Sequence, residues 1–112
     1  MKNTILVIFL LFSFSYGNDY SDGYKLFKKA RKELNNGNQN KANSLFLQAK
    51  EKFEIAIKHN STQAILKLSS LYCNGWGVTK DKEKAKQYLD KAEKLGASFF
   101  SDKCLKTLKG EK

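Results

Sequence analysis

The chain has 112 residues, enough for one small domain, and sets 21 Lys plus Arg against 11 Asp plus Glu for a formal charge of +10. Arg31 is its only arginine, and it carries one His, two Cys and no proline. A single His excludes a multi-histidine metal site and two Cys exclude a four-thiolate zinc site, so no metal or other cofactor is expected. At 41% apolar residues the chain is not a disordered tail.

Residues 1–17 open with Lys2, run apolar from Thr4 to Phe14, and close on Ser15-Tyr16-Gly17. A basic start, an apolar stretch and small residues at the two positions that must be small predict a secretory signal peptide cleaved after Gly17. The apolar run falls short of the roughly 20 residues a spanning helix needs, which argues against an anchor and against stable membrane insertion after cleavage. No Cys follows the run to accept a lipid. Export to the periplasm or beyond the cell is therefore expected.

From Asn18 onward, apolar residues recur at spacings of three and four. Tyr20, Tyr24, Phe27, Ala30 and Leu34 form one stripe; Ala42, Leu45/Phe46, Ala49, Phe53 and Ala56/Ile57 form a second. Ile65, Leu68, Leu71 and Tyr72 form a third, then Ala85, Tyr88/Leu89, Ala92 and Leu95 a fourth, and Phe99/Phe100, Cys104/Leu105 and Leu108 a short fifth. That periodicity predicts helices throughout and no strand. Gly37 suits the end of the first helix. The second is expected to run on to His59, Asn60 and Gln63 to form a capping box before the third, Asp81 to cap the fourth, and Gly96 to end it. The short connections predict antiparallel neighbours.

Residues 64–96 hold the most specific pattern. Ala64, Ala85 and Ala92 are small residues where two helices meet, with Leu68, Leu71, Tyr72, Tyr88 and Leu95 filling the space between them. Gly75 and Gly77 permit a tight turn, Val78 tucks the loop onto the hairpin, and Asp81 restarts the helix. These residues at this spacing closely resemble the SEL-1-like repeat, a relative of the tetratricopeptide repeat. One position departs: Ser69 stands where that family usually has glycine. Upstream, Ala30, Gly37, Ala42, Phe46 and Ala49 resemble an ordinary tetratricopeptide unit that lacks its usual tryptophan and closing proline. The resemblance implies an all-α fold, a short α-solenoid of two antiparallel hairpins (18–60 and 61–96) and a C-terminal capping helix within 97–112. Lys103, Lys106 and Lys109 would keep the outer face of that cap polar.

Arrays of this kind bind peptides or proteins on the concave face. Carried over position by position, the lining is Tyr24, Phe27, Arg31 and Leu34 in the first hairpin, and Gln63, Leu66, Ser70 and Cys73 in the second. An apolar strip with one Arg suits an extended peptide bearing an acidic group; burial of the aromatics as core is the competing reading. Trp76, between two glycines, is read either as an exposed binding residue or as a ring folded over Val78 and the hairpin. Cys73 and Cys104 are within reach of each other if the cap packs as a neighbouring helix, so an exported chain offers a disulfide there, with two free thiols as the alternative.

Catalysis is not expected. Cysteine-rich secreted relatives have been classed as β-lactamases, but no serine here has Lys three residues later and His59 stands alone. A non-catalytic, monomeric interaction module is the primary reading, with a β-lactamase-type hydrolase by resemblance and a secreted effector as alternatives. Export and the near absence of Arg argue against nucleic acid. The lysines are interleaved with acids and apolar residues and are assigned to solvated helix faces, attraction to an anionic envelope surface being the alternative.

Overall fold

The computed structural model describes residues 19–98 and 100–110, so the expected signal peptide lies outside the described residues. Five helices are described: α1 (Asp19–Asn35), α2 (Gln39–Ile57), α3 (Thr62–Asn74), α4 (Lys82–Lys94) and α5 (Lys103–Leu108). The fold is all-helical, a short solenoid of hairpins. In the first hairpin Tyr20 meets Phe53 and Phe27 meets Phe46, so residues advancing along α1 meet residues receding along α2, as an antiparallel pair requires. In the second, Asp81 N–H donates to the Tyr72 carbonyl and Ser69 Oγ donates to the Ala85 carbonyl, with the same reversal.

Two apolar clusters form the core. Phe27, Ala30, Ala42, Phe46, Ala49, Phe53, Ala64, Leu68 and Leu71 join α1, α2 and α3. Tyr72, Cys73, Ala85, Leu89, Phe100 and Leu105 join α3, α4 and the C-terminal segment. Val78 and Tyr88 pack against both clusters, which makes one continuous interior. Ala64, Ala85 and Ala92 are fully buried, as expected of close helix contacts. Ser69 is fully buried as well, and its 2.6 Å bond to Ala85 O gives its hydroxyl a partner inside the contact. Leu95 departs from expectation. It is 44% exposed, at the C-cap position just past the end of α4 at Lys94.

The helix ends refine the sequence reading. Asn60 adopts a left-handed φ of 58° and closes the turn after α2, its N–H donating to Ile57 O. The cap of α3 is therefore Ser61, whose side chain accepts from the Ala64 N–H at 3.2 Å. The expected Asn60–Gln63 box does not form, and α2 stops at Ile57 short of His59. Asp81 caps α4 as predicted, accepting from Lys84 N–H at 2.9 Å. The C-terminal cap is helical only over Lys103–Leu108. Asp102 caps that helix through Oδ1, and an Asp at this position fixes where the helix begins.

The loop between α3 and α4 reaches back to the first hairpin. Gly75 ends α3 at φ 71°, and Gly77 at φ 74° lies so close to α2 that a Cβ there would sit 2.6 Å from Phe46 Cβ and 3.2 Å from Asn43 O. Gly77→Ala should therefore cost about 3 kcal/mol, backbone strain plus overpacking. Gly37→Ala, at φ 84° in open space, should cost only about 1 kcal/mol. Equal losses in chemical denaturation of the two variants would show that the loop does not lean on α2.

Candidate functional site

A groove of about 450 Å³ runs between α1, α3 and the C-terminal segment. Phe27, Arg31, Gln63, Leu66, Ser70 and Trp76 line it, all of them residues singled out by their place on the first helix of each hairpin or in the following loop. Helical spacing explains the grouping, since positions three, four and seven apart share one face. Tyr24 does not line the groove but neighbours Tyr20, which does. The residue is 37% exposed and its ring stacks on Tyr20 at 5.9 Å, with the Lys67 ammonium 5.2 Å from its centroid.

Leu34 and Cys73 do not line the groove. Leu34 packs against the core of the first hairpin, and Cys73 is fully buried in a disulfide to Cys104. The bridge spans 31 residues with Cα atoms 6.1 Å apart, and it ties α5 to the end of α3. The pair left open by the sequence is thus closed.

Trp76 is half-buried, stacked on Phe46 at 5.4 Å and edge-on to Phe27 at 5.8 Å, so its ring lies on the first hairpin. The glycines on either side make this possible by turning the loop onto α2. One face of the ring meets the Arg31 guanidinium, 5.1 Å from its centroid.

Sequence reasoning missed Tyr20, Lys67 and Asn74 as groove residues, and with them the whole wall from Phe100 to Leu105. Asp102 organises the closed side. Its Oδ2 accepts from Ser70 Oγ and from Asn74 Nδ2, while Oδ1 caps α5. Asn74 Nδ2 also donates to the Ser70 carbonyl at 2.9 Å. These bonds hold the C-terminal segment against α3 alongside the disulfide. Lys67 lies 4.9 Å from the Phe27 ring centre, and burial, reinforced by the neighbouring Arg31 charge and opposed by Asp102, lowers its pKa below the usual lysine value.

The comparisons bear on the second hairpin. Residues 62–96 match the family model described as Sel1 repeat. This stretch is similar to a Sel1 repeat. No curated protein and no solved structure matches the chain. The Sel1 repeat is a protein-interaction fold at the level of the family, and the matched stretch supplies Gln63, Leu66, Ser70 and Trp76 to the groove. Among the described residues no three His, Cys, Asp or Glu side chains converge as metal ligands would. No helix among them is long and apolar enough to cross a membrane, and the bridged cysteines are compatible with an exported protein.

The bridge closing a loop of this length should contribute about 3–4 kcal/mol. Replacing Cys73 and Cys104 together by Ala should lower denaturation stability by that order, and reductant should then have no further effect on the variant. A variant as stable as the parent would show that the Asp102 bonds alone hold the cap.

Proposed function

We propose that this chain is an exported, non-catalytic adaptor that binds an extended peptide segment of a partner protein along the groove between α1 and α3. The observation that carries the reading is the meeting of Phe27, Arg31, Gln63, Leu66, Ser70 and Trp76 on one concave surface. Aromatic rings offer a peptide side chain large contact area at small entropic cost, and the exposed Gln63 amide can pair with its backbone. The Sel1 repeat supports an interaction role. The engagement of Ser70, one of two serines lining the groove with Ser101, supports a non-catalytic one: its hydroxyl is buried and donates to a carboxylate that already caps a helix. Export is supported by the pattern of residues 1–17 and by the disulfide.

Panning a random peptide display library on the immobilised protein should enrich a shared short motif. The enriched peptides should bind Leu66→Glu about tenfold more weakly, while its thermal melt shows the fold retained. Enrichment of the same peptides on both proteins would move the binding surface elsewhere. Expression of the full chain in a bacterium should yield an exported form whose first residue, by terminal sequencing, is Asn18; an intact Met1 terminus in the exported fraction would remove the signal-peptide reading.

A further inference from the structure

The charges inside the groove are unevenly satisfied. Among the described residues the ion pairs Lys41–Glu33, Lys50–Glu54, Lys52–Asp19 and Lys109–Glu93 do not involve groove cations. Arg31 and Lys67 form no ion pair among the described residues, and each rests on aromatic faces instead: Arg31 on Trp76, Lys67 on Phe27 and Tyr24. Phe27 joins the two platforms, since it also packs edge-on to Trp76. The one acid lining the groove, Asp102, is engaged by Ser70, Asn74 and the Leu105 N–H. Burial opposes the protonation of Lys67 and so does the Arg31 charge, and the Asp102 carboxylate offsets them only in part. Folding alone gains little from placing the only arginine of the chain beside a half-buried lysine. An incoming anion gains a great deal, because Lys67 is half-buried and both cations already rest on aromatic faces, so they need little reordering to receive it.

We propose that Arg31 and Lys67 form a carboxylate-binding site at the middle of the groove, which takes the acidic side chain of an extended peptide while a neighbouring apolar side chain lies on Trp76 and Leu66. The proposal rests on the peptide-binding reading above and names the chemistry of the peptide. Position along the groove favours a side chain over a chain terminus. On α3, Gln63 lies about 6 Å before Lys67 and Asn74 about 10 Å beyond it, so lining continues on both sides of the cations. A peptide can therefore pass through rather than end there. A nucleic acid strand fits less well, since it needs cations spaced along successive phosphates, and the carboxylate of Asp102 stands in the same groove.

Two capped peptide pools separate the outcomes, one with Phe-Glu-Leu at its centre and a twin with Phe-Gln-Leu, titrated against the full chain by fluorescence anisotropy. The glutamate pool should bind about tenfold more tightly at low salt, and the gap should narrow as salt is raised. Lys67→Met and Arg31→Met should each abolish the gap, and Lys67→Met should melt at or above the parent, because it removes a desolvated charge. Equal binding of the two pools would overturn the carboxylate site and leave the peptide groove standing; no binding by either would sink both. Tighter binding of the glutamine pool carrying a free C-terminus, or of a single-stranded oligothymidine, would also overturn the proposal in favour of a terminal carboxylate or of phosphate.

Discussion

The stacking of Trp76 on Phe46 is the contact on which the rest of the molecule depends. It is made by a loop that belongs to the second hairpin and a helix that belongs to the first. Without it the hairpins would be joined by the contacts of α3 with α1 and α2 alone. The loop adds a further point of attachment, and it is possible only because Gly77 has no Cβ to strike Phe46 and tolerates a left-handed backbone. The same indole then serves as a platform for Arg31. One ring thus sets the angle between the hairpins and the position of a groove cation.

The opposite wall is held by different physics. The C-terminal segment contributes Phe100 and Leu105 to the apolar interior, but its register against α3 comes from the disulfide and from the carboxylate of Asp102. A short helix of six residues has little stability of its own, so covalent and polar fixing take the place of length. The groove is consequently bounded on one side by aromatic packing and on the other by directional bonds.

Much of this was legible in the sequence because helical periodicity is a local signal. Phe27, Arg31, Leu66 and Ser70 share a face by their spacing, and Ala64, Ala85 and Ala92 mark helix contacts by their size alone. Lys67 was missed since its neighbours Leu66 and Leu68 already accounted for the pattern, and a lysine between them reads as solvated. Asp102 was missed for another reason: its partners Ser70 and Asn74 lie about thirty residues away, and no local pattern encodes such a bond. The start of α3 was misplaced by one position because Asn60 and Ser61 are both good capping residues, and only the left-handed turn at Asn60 decides between them.

The alanines have a consequence for how such a surface can diversify. Ala30, Ala42, Ala49, Ala64, Ala85 and Ala92 are wholly enclosed, and they set how near each helix lies to the next. None of them lines the groove. The aperture offered to a ligand is therefore governed by residues the ligand never meets. A single added methyl group at one of these sites would splay the walls, and the selectivity of the opening would change with every groove side chain left as it was.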